Sequence, residues 1–481
     1  MSLRQILRLL GVLMLMYSVT LLPPFLLSLY YSDGSVTAFS AAFVQIVALG
    51  LLAWWPNRHC RDELTPRDGF VVVLMFWLVF GSIGALPFLL APHHELDLVD
   101  ALFESFSGLT GSGASVIADV DNITPSLNYY RHQLCWLGGM GIVVLAVAVM
   151  PMLGVGGMQL YRAESPGVVK DKLTPRITET AKALWLIYVG LTLLCALCFR
   201  LAGMSWLDAV CHAFSTIATA GFSTHAASIG HFDSALIEAI TVVFMLVGAI
   251  NFGLHFMALR RGHFPAYTRN PELRFFTGSL ALLVLLVTAM LWSSSTLAGT
   301  DALRHALFMS TSMLTTTGFV STDYSLWPGI LPFLVASASI MGGMAGSTAS
   351  GVKPLRMLIA LKHSLREISR LLHPNGVFAL RLGRKVVHYR VVDAVWGFLT
   401  LYIMVFAVMM WAVMATGLDF TSTYGAVLAS LNNAGAGLGV VASHYADITD
   451  AAKLILVGGM ILGRLEIFTF LVLLTPAFWR R

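Results

Sequence analysis

The sequence predicts an all-α integral membrane protein: an N-terminal transmembrane hairpin followed by four pseudo-repeated span–short-helix–span units, about ten full spans in all. Three observations carry this reading. The chain is too apolar for a soluble domain, its basic residues gather in the breaks between apolar blocks, and a semi-polar run ending in glycine recurs four times. Of 481 residues, 57% are hydrophobic and 11% charged, whereas a soluble domain carries roughly 25% charged residues. Stretches of the about 20 apolar residues that cross a bilayer recur along the whole length.

The net charge of +5 could suggest a nucleic-acid partner, but its placement argues for no nucleic acid. Basic residues collect between apolar blocks: Arg4 and Arg8; Arg58, Arg61 and Arg67; Arg162, Lys170, Lys172 and Arg176; Arg260, Arg261, Arg269 and Arg274. The richest stretch runs from Lys353 to Arg390, and Arg480 with Arg481 closes the chain. Positive residues in short loops mark the cytoplasmic face, which puts these breaks and both termini inside. The remaining breaks, such as "HHELDLVD" and "DVDN", are acidic or neutral. Two arginines precede the first apolar run, yet that run is too long for a signal peptide and lacks a small-residue cleavage site. A retained first span is expected. The five cysteines suggest no disulfide framework, and "CALC" (Cys195, Cys198), alone in an apolar span, reads as packing despite its redox-motif spacing.

Residues 1–60 are assigned to the hairpin, and the four units to 61–165, 166–262, 263–376 and 377–481. Each unit holds a long apolar run, a shorter semi-polar run, a glycine and a second long run. Anchoring on the glycine aligns "DALFESFSGLTGSGAS", "DAVCHAFSTIATAGFS", "HALFMSTSMLTTTGFV" and, more loosely, "STYGAVLASLNNAGAGLG". Ala101, Ala209, Ala306 and Thr423 each stand twelve residues before Gly113, Gly221, Gly318 and Gly435. A run of roughly 12 residues is too short to span and too apolar for a free loop. It reads as a pore helix that dips into the membrane and returns, with Asp100 and Asp208 capping the first two copies. Amphipathic interfacial helices would explain one such run, but not four with a shared ending.

Non-helical backbone at membrane depth is tolerated where protein buries it or where it lines a watery cavity. Four copies around one axis would make such a cavity an ion pore. The negative ends of four helices would favour a cation there. Glycine permits the backbone angles that turn carbonyl oxygens inward, and carbonyl rings can replace the hydration shell of a potassium ion.

Four span–pore-helix–span units in one chain, with one such glycine each, resemble the Trk/Ktr/HKT superfamily of potassium transporters. The extra hairpin and "GGMAGSTASGVKP" are most similar to its bacterial TrkH type. The resemblance spans essentially the whole chain and implies potassium uptake across the bacterial inner membrane. It implies a filter of Thr110, Gly111, Ser112 and Gly113; Thr219, Ala220 and Gly221; Thr315, Thr316, Thr317 and Gly318; and Asn432, Asn433, Ala434 and Gly435, acting chiefly through backbone carbonyls. Serine at the first of these glycines accompanies sodium selectivity in plant relatives, so Gly113 favours potassium. Gly111, Ser112 and Ala220 depart from the more common threonine-rich pattern. The resemblance further implies a homodimer and a cytosolic TrkA-type nucleotide-binding ring as regulator, with no organic cofactor in this chain. Lys353 to Arg390 carries nine Lys/Arg against Glu367 alone, which suits docking of a protein or contact with anionic membrane lipid.

Two features read as gates. Gly342, Gly343, Gly346 and Gly351 interrupt the second span of the third unit, more glycine than close helix packing needs, and a flexible intramembrane loop of the kind the family has is expected. "GSTASGVK" only approximates a phosphate-binding loop, because valine precedes its lysine and no strand leads into it. Arg464 lies well inside the last apolar run, where a charge is costly. Its two readings are a structural ion pair with Glu104 or Glu466, and the position beneath the filter that the resemblance implies. His212, His255 and His305 read as satisfied core groups. No HExxH, paired carboxylates or nucleophile motif points to an enzyme. A proton- or sodium-coupled potassium symporter is the alternative to a gated channel, with few intramembrane carboxylates to serve it.

Overall fold

The structure, a computed structural model, describes residues 3–60, 66–92, 96–148, 177–262, 264–297, 299–376, 378–383 and 385–479. The break holding Arg162, Lys170, Lys172 and Arg176 lies outside them, as do Arg61 and the terminal Arg480 and Arg481. Among the described residues, six helical stretches are long and apolar enough to cross a membrane: Leu3–Tyr31, Val36–Asn57, Asp68–Leu90, Lys182–Leu201, Pro271–Ser293 and Tyr389–Met414. Their outward faces carry large apolar side chains, Leu201 at 78% exposure and Trp411 at 71% among them. A surface of that kind belongs in lipid.

The first two stretches pack antiparallel. Gly11 faces Gly50 so closely that a Cβ on it would sit 2.8 Å from the Gly50 carbonyl oxygen, and Arg8 Nη1 reaches the Cys60 carbonyl at 2.5 Å. The first stretch bends after Val19 and resumes at Leu22, where Pro23 fits the opening turn because its missing N–H has no helical partner there.

Four short helices follow at matching places: Leu98–Thr110, Trp206–Ala218, Gly299–Leu314 and Phe420–Asn432. Ala101, Ala209, Ala306 and Thr423 are fully buried on them. Asp97, Ser205 and Asp419 cap the first, second and fourth by accepting the backbone N–H three residues on. The sequence reading had Asp100 and Asp208 as the caps. Both instead sit in the first helical turn, where their own N–H groups are the ones capped. Their charge still complements the positive helix end.

The helix after each short one is regular only in the first unit (Pro125–Ala148). In the second unit Ala235–Ala249 and Phe252–Leu259 meet at 98°. In the third, Leu331–Ser337 and a short 3-10 turn give way to the glycine-rich segment before Pro354–Leu372. In the fourth, Asp450–Arg464 stops and Ile467–Leu474 begins after Glu466, whose φ of 56° a helix does not allow. The sequence points to one interruption; among the described residues there are three. The all-α expectation also needs one correction, a two-stranded hairpin pairing Arg381 with Val386 and Leu382 with Lys385. It lies beside the basic helix Pro354–Leu372, where Lys362 Nζ donates to the Arg381 carbonyl at 2.9 Å.

Candidate functional site

The four short helices end in one way. Gly111, Thr219, Thr316 and Asn433 take left-handed conformations, with φ of 74°, 51°, 56° and 50°. The next residue then donates its N–H back five positions: Ser112 to Ser107, Ala220 to Ser215, Thr317 to Ser312 and Ala434 to Ala429, at 2.8, 2.9, 2.8 and 2.8 Å. This Schellman closure normally uses glycine and sometimes asparagine, so the two threonines adopt it against their preference. Such strain persists where the surroundings enforce it.

The anchoring glycine follows two positions later in each copy, with φ of 77° at Gly113, 78° at Gly221, 81° at Gly318 and 66° at Gly435. A Cβ on Gly113 would collide with the Ala220 carbonyl oxygen, one on Gly221 with that of Thr317, and one on Gly318 with that of Ala434. One on Gly435 would meet the Ser112 carbonyl, the loosest of the four contacts. The contacts therefore run from unit one through two, three and four back to one, a closed ring of backbone. Thr110, Ser112, Thr219, Ala220, Thr315, Thr316, Thr317, Asn432, Asn433 and Ala434 are all buried around it. Gly113, Gly221 and Gly318 keep partial exposure in the middle of the bundle, while Gly435 is buried.

A buried ion pair supports the first quarter. Arg131 Nε donates to Glu104 Oε1 at 2.6 Å, and Glu104 Oε2 accepts the Val116 N–H at 3.0 Å, just after Gly113. Glu104 is thus engaged and is no partner of Arg464.

The segment from Gly342 to Gly351 folds beneath the ring as a closed loop. Its neck is held by Val352 N–H to the Ile340 carbonyl and Lys353 N–H to that of Met341, both at 2.9 Å. Gly342 and Gly351 cross so closely that a Cβ on Gly351 would lie 2.7 Å from the Gly342 Cα. Gly343 packs on Ala249 and Gly346 on Asn251. The loop's polar backbone is paired largely with the broken helix of the second unit. Met344 donates to Ala249 at 2.9 Å, Phe252 donates to Gly346 at 3.0 Å, and Asn251 Nδ2 donates to the Ala345 carbonyl at 2.6 Å. Ala345 N–H in turn donates to Glu272 Oε1 at 3.0 Å. Toward the ring, Ser350 N–H reaches Thr316 Oγ1 at 3.0 Å, and the Thr219 and Thr348 hydroxyls stand 3.3 Å apart.

Asn251 is central to this contact, because its Oδ1 also caps the second half of the broken helix through Gly253 N–H at 2.7 Å. Asn251→Ala is expected to lower stability by about 1 kcal/mol, as for a lost N-cap, and to loosen the loop. Thermal unfolding measures the first effect and hydrogen exchange at the loop amides the second; a stability loss with unchanged exchange would separate Asn251 from the loop.

Arg464 ends its helix directly below the ring. Nη1 donates to the Thr348 carbonyl at 3.0 Å and to Ser350 Oγ at 3.3 Å, and Nη2 donates to the Gly138 carbonyl at 3.1 Å. A Cβ on Gly111 would stand 3.6 Å from Nη1. The ion-pair alternative fails on its candidate acids: Glu104 is taken by Arg131, and Glu466 by Arg356 at 2.6 Å. The arginine therefore stands among neutral acceptors, tying the loop to the first and fourth units. His212 is bonded to the Asp208 carbonyl and Ser223 Oγ, His255 to Tyr267 and Val247, and His305 to Ser321. They are satisfied core groups, as the sequence suggested, and all five cysteines are free thiols.

Asn251, Glu272 and the Arg356–Glu466 pair are site residues that sequence reasoning missed. Asparagine before "FG" and a second charged residue beside Arg464 were the available signals.

The family model described as TrkH, a cation transport protein, matches residues 35–481. The chain is 52% identical over 482 residues to the Trk system potassium uptake protein TrkH of Halomonas elongata, covering 100% of both chains. It is 48% identical over 482 residues to the protein of that name in Escherichia coli K12, again over 100% of both. The crystal structure of the potassium transporter TrkH from Vibrio parahaemolyticus matches with a TM-score of 0.93 at 47% identity, covering 100% of both chains. The chain belongs to the TrkH family of cation transport proteins, a family of transporters and not enzymes.

Proposed function

We propose that this chain takes up potassium across a bacterial inner membrane through a backbone-lined filter at the centre of four span–pore-helix–span units, about ten spans with the hairpin included. The observation that carries the proposal is the closed ring, in which Gly113, Gly221, Gly318 and Gly435 each press on a carbonyl of the next unit. Carbonyls held in register by such contacts can replace a hydration shell, and the negative ends of four pore helices favour a cation. Relatives named as potassium uptake proteins at 48–52% identity over the whole chain support potassium as the ion. Both termini and the basic breaks face the cytoplasm in this reading.

The loop of residues 342–351 with Arg464 is the gate, closed as the hydrogen bonds stand. The basic helix Pro354–Leu372 and the adjoining hairpin continue from the loop, so a cytosolic TrkA-type ring docked there could pull on it. A homodimer with lipid around its apolar faces completes the proposed assembly. Deleting residues within 343–347 is expected to raise basal potassium flux several-fold without altering ion preference, as measured by rubidium uptake into proteoliposomes; unchanged flux in folded protein argues against a gate. Recordings from the purified protein in planar bilayers test the proposal. Unitary potassium currents support it, and flux tied stoichiometrically to protons or sodium replaces the channel with a symporter.

A further inference from the structure

On the loops that follow the first two ring segments, Asp121, His225 and His231 each bring a ligand atom within 4.8 Å of the others. Asp121 follows Gly113 in the first unit, and both histidines follow Gly221 in the second. His225 Nδ1 lies 3.0 Å from Asp121 Oδ1, and its Nε2 lies 3.5 Å from Asp208 Oδ1. The His225 and His231 rings stack face to face, 3.6 Å between centroids and 6° between planes. Phe232 lies edge-on to both, 5.4 and 5.3 Å away. Two imidazoles in such a stack cannot both carry a proton cheaply, yet two carboxylates face them.

We propose that Asp121, His225 and His231 form a binding site for a borderline divalent transition metal of the Zn2+ class, joining the loop of the first unit to that of the second. Imidazole with carboxylate suits zinc, copper or nickel, whereas potassium, magnesium and calcium prefer oxygen alone. Asp208 stands on the far nitrogen of His225, the placement in which an outer carboxylate fixes a ligating imidazole. Asp208 is itself held by Thr224 Oγ1 at 2.6 Å and Ser205 Oγ at 2.7 Å. Three protein ligands leave the fourth tetrahedral position to water. Bonds of about 2.0 Å lie in the plane of each ligating ring and put ligand atoms roughly 3.3 Å apart, so the cluster must contract and the His231 ring must swing out of its stack on His225. Asp121 and His231 are exposed and free to supply that movement. The inference does not depend on which ion the chain transports.

The experiment titrates the purified full-length protein, stripped with chelator, with Co2+ and then with Zn2+. The expected result is saturable visible absorption of tetrahedral cobalt at one ion per chain, displaced by Zn2+ and untouched by Mg2+. His225→Ala and His231→Ala each weaken cobalt binding at least tenfold. His231 is exposed, so His231→Ala keeps the parent thermal unfolding and remains interpretable if His225→Ala does not fold. Absence of saturable uptake by the parent chain, or uptake unchanged in His231→Ala, overturns the proposal.

Discussion

Gly113→Ser is expected to lower the potassium-over-sodium permeability ratio roughly tenfold or more, a loss of about 1.4 kcal/mol in discrimination, while the protein still folds. Gly113 holds a φ of 77°, and any Cβ there would strike the Ala220 carbonyl oxygen. The left-handed conformation alone costs a side chain about 1–2 kcal/mol, so relief comes from turning that carbonyl away. One quarter of the ring then offers a different oxygen geometry, and the added hydroxyl offers an acceptor of its own. Gly221→Ser and Gly318→Ser face equally close carbonyls and should weaken selectivity to a like degree. Gly435 has the loosest contact and should show the mildest change. Reversal potentials under asymmetric potassium and sodium salts measure the ratio. If all four variants keep the parent value, the ring does not lie on the ion path.

Arg464→Ala should raise basal potassium flux on the order of tenfold. A unit charge about 10 Å from a passing cation opposes it by about 1.7 kcal/mol at an effective dielectric of 20, and the substitution also frees Thr348 and Ser350 of the loop. Because its partners are neutral, removing the arginine orphans no buried acid, and the variant should fold. Arg464→Lys should fall between the two, since an ammonium keeps the charge but cannot span three acceptors in the same planar fork. Rubidium uptake into proteoliposomes at matched protein content is the measurement. Loss of folded protein without a gain in flux would make the residue a structural brace.

The membrane character was legible in composition alone, and the four short helices in their repetition. Any single copy, such as "GLTGSG", is an unremarkable string; four in alignment are not. Repetition also limited what could be read, because the features that matter below the ring occur once. Asn251 breaks a helix that looks continuous in sequence, and nothing in the other units points to it. Glu272 contacts Ala345 from 73 residues away, a separation that no local pattern reports. Arg464 was conspicuous as a buried charge, but its partners are chiefly backbone carbonyls, which have no signature in a sequence. The caps were misplaced by three residues because aspartate suits both the cap and the first turn, and in "ELDLVD" it occupies both.

The ring is assembled from one polypeptide, and that changes how its parts can specialise. Four identical subunits would repeat every feature, so that a loop beneath the ring would come as four loops and a buried arginine as four positive charges crowded on one axis. Among the described residues, the third unit alone has the glycine loop and the fourth alone places an arginine directly beneath the ring. A single covalent chain carries one copy of each, and the other quarters are left to hold geometry. A point mutation likewise enters the ring once, in a single dose. Drift in one quarter can thus be tolerated while three keep their shape, and the fourth unit, with asparagines where the third has threonines, carries such drift.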